Sequence, residues 1–227
     1  MGLFIASFYD TTILITPDIE IIESELQHRL KYKYVWFRKQ NNLWDSYSNY
    51  IYTTLEWEKL IPKIAKNVQK YKLDKEEYFY YTINRWYNYW SAFAIEKIFT
   101  NIDGVIPAKN PRDKKVDFFL LGESFDHKTS VYPKGFKKAL QYAQQHPIEL
   151  LQWLYQNQSQ QGRRHFENRM FLMVYSNDGE HWKLKAEISW LETIISTYVI
   201  TFDDSKLYRL QLQPNKTTIA GLIWAIK

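Results

Sequence analysis

The stretch VDFFLLGESFDHKTSV, residues 116–131, decides the fold. Its first six residues form an apolar run of strand length, Gly122 to Ser124 supply a tight turn, and FDHKTSV (125–131) alternates with the period of a second strand. A hairpin follows. Within it Asp117 sits beside Phe118, Phe119, Leu120 and Leu121, where a carboxylate has no local reason to be unless something partners it. Period-two alternation puts Asp126 and Lys128 on one face of their strand and turns His127 to the other. The plain reading of that pair is a same-face ion pair of little energetic weight. The sharper reading is a cation site with an ammonium beside it.

Upstream of the hairpin, Asp74 followed by Glu76 and Glu77 marks a helix start with acidic first-turn residues that suit the helix dipole. The helix is predicted to run to about Phe99. Ile83, Trp86, Trp90, Phe93 and Lys97 recur on it at spacings of three and four, with Tyr89, Ala92, Glu96 and Phe99 as the adjoining stripe, so Glu96 lies beside an apolar face. Arg85, Trp86, Tyr87, Tyr89 and Trp90 have the composition of a base-stacking platform but the spacing of a helix packing a core, and the core reading is preferred.

Farther out, residues 3–15 read as a strand, Pro17 and Asp18 open a helix to about Arg29, and 32–52 give no clear element. Thr53 or Thr54 caps a helix bearing Glu56 and Glu58, with Pro62 near its first turn or kinking it. Val105 and Ile106 begin a short strand, and 109–115 make a turn. Downstream, Pro133 starts a lysine-bearing helix ending near His146, and Pro147 starts another through about Asn157. QSQQGRR (158–164) is a loop, 181–199 a helical stretch, and 170–175, 207–212 and 219–226 strands. The expected fold is α/β in a single domain over 1–227, with 1–73 an N-terminal elaboration, a candidate interface or DNA clasp, and 74–227 the core.

Composition excludes several classes of function. The 227 residues are 45% apolar and 18% aromatic, too rich for a disordered chain. There is no cysteine, which removes disulfides, thiolate nucleophiles and cysteine-held metals and fits a reducing, cytoplasmic setting. The apolar opening is too short to span a bilayer, so no membrane partner is expected. The five histidines show no metal-ligand spacing, and neither a nucleophile elbow nor a phosphate-binding glycine loop occurs. A formal charge of +5 favours polyanions without deciding for them.

The hairpin carries the chemistry that remains. Hydrolysis of a phosphodiester calls for a divalent cation, and hard cations take oxygen ligands. Asp117 and Asp126 supply two carboxylates, the backbone carbonyl of His127 is available as a third oxygen, and Lys128 is poised to orient or deprotonate a water and to stabilise developing negative charge. Glu96 reads either as an outer or second-metal ligand or as a rim glutamate bridging to a lysine. Acid, any residue, lysine occurs three times, at Asp113, Asp126 and Asp204; only Asp126 has an apolar strand signature, an aspartate-bearing strand before it and a glutamate-bearing helix upstream.

At these residues the chain resembles the restriction-endonuclease-like, or PD-(D/E)XK, nuclease superfamily. The shared order is a helix with a glutamate (AIEKIF, around Glu96), a strand with an aspartate (VDFFLL) and a strand with acid, any residue and lysine (FDHKTS). Val116 stands where the family name has proline, and the second acid is aspartate. The resemblance covers about residues 83–131 and extends to the strand at 170–175. It implies a mixed central sheet flanked by helices, Mg2+ dependence with Mn2+ as a substitute, and DNA cleavage, most plainly of the type II restriction kind. A structure-specific or repair nuclease and a non-catalytic nucleic-acid-binding protein are the alternatives. Cutting both strands calls for two active sites and hence a homodimer. Lys134, Lys137, Lys138, Arg163, Arg164 and Arg169, with Thr129 and Ser130, are expected along the phosphates, although solvated surface charge explains each basic residue equally well.

Overall fold

The computed structural model describes residues 17–110, 115–157 and 166–227. The strand expected over 3–15, Asp113, and the loop with Arg163 and Arg164 lie outside them. Four helices come first: α1 (Ile19–Gln27), α2 (Asn42–Tyr47), α3 (Trp57–Tyr71) and α4 (Lys75–Asn101). Then come β1 (Val105–Pro107), β2 (Phe118–Leu120), β3 (Glu123–Val131), α5 (Leu140–Gln145), α6 (Pro147–Asn157), β4 (Arg169–Tyr175), α7 (Ile188–Ile200), β5 (Leu207–Gln213) and β6 (Lys216–Ile226).

The fold is α/β, with an open six-stranded sheet in the order β1-β2-β3-β4-β6-β5. Strands β3, β4 and β6 run parallel, while β1 and β2 on one flank and β5 on the other pair antiparallel to their neighbours. Strand β4 reads RMFLMVY, a continuous apolar run after its arginine, because it is covered on both faces. Met170, Leu172 and Val174 face a large core with α1, α4 and α7; Phe171 and Met173 face a smaller one with α6. Among the described residues no helix is long and apolar enough to cross a membrane.

Helix α4 is the axis of the larger core. Asp74 caps it by accepting from the Glu77 N–H at 2.8 Å, as its sequence announces. Its middle, Tyr81 to Tyr87, is buried on every side, so even Thr82, Asn84 and Arg85 are enclosed. Trp86 and Trp90 donate their indole N–H groups to the Thr54 and Ile51 carbonyls at 2.8 and 3.0 Å, and Arg85 pairs with Asp45 at 3.1 Å. The aromatic stretch is therefore core, not a platform for bases. Toward the C-terminus the helix opens: Ala92 is exposed, and Phe93 and Glu96 are half-buried.

Four local expectations are corrected. The hairpin turns at Leu121 and Gly122, whose φ values of 50° and 82° suit a two-residue turn that matches strand twist, so β2 is shorter and β3 begins at Glu123. The helix after Thr53 has Glu56, not a threonine, at its N-cap position, without a side-chain cap bond, and Pro62 lies inside it as the second of the two expected placements; the Thr54 hydroxyl instead donates to the Tyr50 carbonyl at 2.7 Å. Lys134, Lys137 and Lys138 precede α5: Lys134 opens a 3-10 turn, and Lys137 ends it with φ at 57°. The stretch from His181 divides into a 3-10 segment to Ala186 and then α7.

Gly221 of β6 lies opposite Met170 of β4. A Cβ there would stand 2.3 Å from the Met170 sulfur and 3.2 Å from the Tyr198 hydroxyl. Met170 is fully buried, so its thioether cannot swing aside without displacing other core atoms. Gly221→Ala is expected to lose about 1–3 kcal/mol of stability, read as a lower urea midpoint at unchanged slope.

Candidate active site

Asp117 immediately precedes β2 and is fixed through its backbone. Its N–H donates to the Phe125 carbonyl of β3 at 2.8 Å, and its carbonyl accepts from Ala108 at 2.9 Å. Beyond it the β2–β3 ladder stops. The Asp117 carboxylate takes the place of the next rung, Oδ2 accepting from the His127 N–H at 2.6 Å. Strand β3 continues to Val131 paired with β4. Asp126 N–H points to β4, where it donates to the Asn168 carbonyl, so by alternation the His127 N–H and C=O both point to the β2 side. That is the side on which β2 has ended, and it leaves the His127 carbonyl beside the Asp117 carboxylate.

Asp126 is held from the other direction. It stands opposite Arg169 in the parallel β3–β4 register, and Arg169 Nε donates to its Oδ2 at 2.6 Å. The Arg169 side chain is 7% exposed and that of Asp126 20%. The guanidinium carbon lies 5.7 Å from the Tyr155 ring centre, and Nη1 is buried without a partner. Arg169, expected along phosphates, is instead the counter-ion of Asp126. Lys128, two residues on, is exposed and makes no ion pair among the described residues, so the plain reading that it pairs with Asp126 is not what the fold adopts.

Asp117 links the other two acids electrostatically. Burial, then the charge of Asp117, pushes the Glu96 carboxyl up to about 7. Burial raises Asp117 to about 6; the His127 N–H opposes that, Asp126 adds to it, and Lys128 and Arg169 pull it back. The His127 side chain is turned away as expected. It is buried against Phe99 with ring centres 5.7 Å apart, its Nε2 is 2.8 Å from Thr129 Oγ1, and burial with the charges of Lys128 and Lys185 holds it down to about 3. The ring is enclosed against Phe99 and turned from the Asp126 and Lys128 face, so the carbonyl is what His127 can offer a cation there.

Among the described residues the other predicted phosphate contacts are differently placed. Thr129 has its hydroxyl engaged by His127, and Ser130 is half-buried on the Asp126 and Lys128 face of β3. Lys134, Lys137 and Lys138 are exposed past the end of β3, with the Lys138 ammonium 4.8 Å from the Tyr142 ring centre. The third acid-x-lysine match is ordinary surface: Asp204 pairs with Arg209 at 2.8 Å and is 69% exposed.

Among the described residues no three His, Cys, Asp or Glu side chains form a ready-made cage for a metal. The donors nonetheless suit a hard cation that keeps much of its water and takes one or two carboxylates from the protein. Asp117 and Asp126 with the His127 carbonyl would hold it, and Glu96 would act from farther out. Two carboxyls raised by burial and by neighbouring acids are in the state that a cation among them would relieve. Comparisons of the chain with protein-family models, with curated proteins and with solved structures find no match.

Arg169 is the residue that sequence reasoning misplaced. Its one signal is a charge at the mouth of a fully apolar strand, which calls for a buried partner; the partner is 43 residues away and is identified only by strand register.

The raised acids have a consequence for stability. A carboxyl whose pKa is higher folded than unfolded binds more protons in the folded state between the two values, so stability falls as pH rises through that interval. For Glu96 the interval runs from 4.5 to about 7. Glu96→Gln is expected to be more stable than the parent at pH 7.5, by on the order of 2 kcal/mol, and to match it at pH 4. Urea titrations at both pH values measure this, and equal differences at the two would remove Glu96 from the coupled set.

Proposed function

We propose that this protein is a Mg2+-dependent DNA endonuclease on a restriction-endonuclease-like fold. The observation that carries the reading is the electrostatic coupling of Glu96, Asp117 and Asp126, with Lys128 beside them, where β2 leaves β3. The order of elements supports it, since a glutamate-bearing helix precedes an aspartate at a strand start and then a strand with Asp126 and Lys128. Mixed strand directions in the sheet and the net positive charge agree with it. A cytoplasmic homodimer cutting both strands, with Mn2+ replacing Mg2+, is the fuller form of the proposal.

Each residue has a physical task. Mg2+, when bound, supplies Lewis acidity toward the phosphate and lowers the pKa of a water. Asp117, anchored by the His127 N–H, and Asp126, anchored by Arg169, fix carboxylate oxygens in place before any ligand arrives. Lys128 presents an uncommitted ammonium beside them, able to hold the attacking water by a hydrogen bond and to donate to a phosphate oxygen as negative charge builds. Glu96, with its pKa near 7, can take up a proton at working pH.

The Asp126–Arg169 pair favours one other reading, a nucleic-acid-binding protein that keeps the fold without cutting, because Asp126 is already satisfied. Plasmid and branched DNA incubated with Mg2+ distinguish the readings. Cleavage that EDTA stops, and that falls at least about 100-fold in Asp117→Asn and in Lys128→Ala, is the expected result; cutting confined to branches indicates a structure-specific nuclease. Full activity in both variants sinks the site, and intact DNA with tight binding selects the second reading. Asp126→Ala is the poorer probe, since it strands the buried Arg169 charge and lowers stability by itself.

A further inference from the structure

A second feature lies along the exposed line of α4. Asn88, Ala92 and Glu96 are spaced by four and share one face of the helix. At the Asn88 end stands Lys185, from the 3-10 segment His181–Ala186. Its ammonium donates to Asn88 Oδ1 at 3.1 Å, and the Asn88 amide donates to the Tyr34 hydroxyl at 3.4 Å.

Lys185 is half-buried, yet no carboxylate lies within ion-pair distance of it among the described residues. Among the described residues, the charge of Lys128 bears on it and repels it. Its sequence neighbours differ: Lys183 pairs with Glu180 at 3.4 Å, and Glu187 is taken by Lys227. An ammonium has three donors, and one is used here. The enclosed charge of Arg29 is met by two backbone carbonyls and the Asn84 side chain at 2.5–2.8 Å; Lys185 has no such set. A half-buried cation that has lost part of its hydration and has no counter-charge is a ready partner for an anion.

We propose that Lys185, aimed by Asn88 and helped by Lys128, binds a backbone phosphate of nucleic acid a few nucleotides from the one that reacts. At 1.5 Å per residue Asn88 lies roughly 12 Å along α4 from Glu96. That matches a few phosphates at about 3.4 Å of axis each on one strand. Acids at the Glu96 end of this line and the Lys185 ammonium at the Asn88 end suit a strand whose reacting phosphate meets a cation and whose phosphate a few nucleotides on meets Lys185. The inference rests on the nuclease reading for the identity of the phosphate, but not for the existence of the anion site.

The test uses the full chain without divalent metal, so that no turnover intervenes. Inorganic phosphate is expected to raise the melting temperature more than chloride at matched ionic strength, and Lys185→Gln to abolish that difference. In fluorescence anisotropy with a short DNA duplex, Lys185→Gln is expected to weaken binding about tenfold and to lower the salt slope by about one counterion. Lys185→Arg keeps most of the affinity, and Lys66→Ala, an exposed lysine elsewhere, changes it less than twofold. Unchanged DNA affinity in Lys185→Gln, or an equal loss in Lys66→Ala, overturns the proposal. A phosphate effect without any loss of DNA affinity assigns the site to free phosphate and overturns the nucleic-acid assignment. Should Lys185→Gln fail to fold, Asn88→Ala, which removes the acceptor aiming the ammonium, carries the same comparison. A protein that binds as expected but never cuts DNA keeps this subsite and loses the nuclease reading; a cutter indifferent to Lys185 does the reverse.

Discussion

Strand β4 is bonded along both edges, to β3 and to β6, and from Arg169 to Val174 it is buried on both faces. Everything in the sheet is referred to it. Because side chains alternate, its register assigns Met170, Leu172 and Val174 to one core and Phe171 and Met173 to the other, and a slip of one residue would exchange the two sets. Its first residue is an arginine, and a guanidinium at the mouth of such a strand is tolerable only with a counter-ion. Asp126, opposite it on β3, is that counter-ion. The same pair that makes the sheet edge electrostatically acceptable also holds one of the candidate site's carboxylates.

The second constraint is the early end of β2. Where a longer strand would continue the ladder, the Asp117 carboxylate accepts from the His127 N–H, so β3 runs on with one edge released from strand pairing. A backbone donor that would otherwise go unpaired is satisfied by a charged side chain, a stronger acceptor than a neutral carbonyl. The arrangement fixes Asp117 while bringing its charge near Glu96 and Asp126. Stability is given up there, as the raised carboxyls of Glu96 and Asp117 indicate, and such strain concentrates where ligands bind.

Much of this architecture could be read from residues alone. The Asp74 cap, the aromatic helix behind it, the hairpin and the buried β4 run are written in local pattern, and so is the alternation that sets Asp126 and Lys128 on one face with His127 behind. The turn at Leu121 was less legible because a leucine at positive φ carries no signal; glycine next to it does. The three lysines after Pro133 look helical by composition, but the chain makes a 3-10 turn and a left-handed step at Lys137 before α5. Arg169 and Lys185 escaped because what matters about each is its partner or lack of one, a property of register and packing that no spacing encodes.

Phe99 and His127 meet ring to ring across the gap between α4 and β3. Glu96 is less than one turn from the first, and the N–H of the second grips Asp117. The separation of two acids on different elements is thus set by the thickness of an aromatic pair rather than by any bond between them. Rings are stiff, so the gap does not breathe as an aliphatic contact would, and the charge of Asp117 that Glu96 feels is held as steady as the ring pair between their elements.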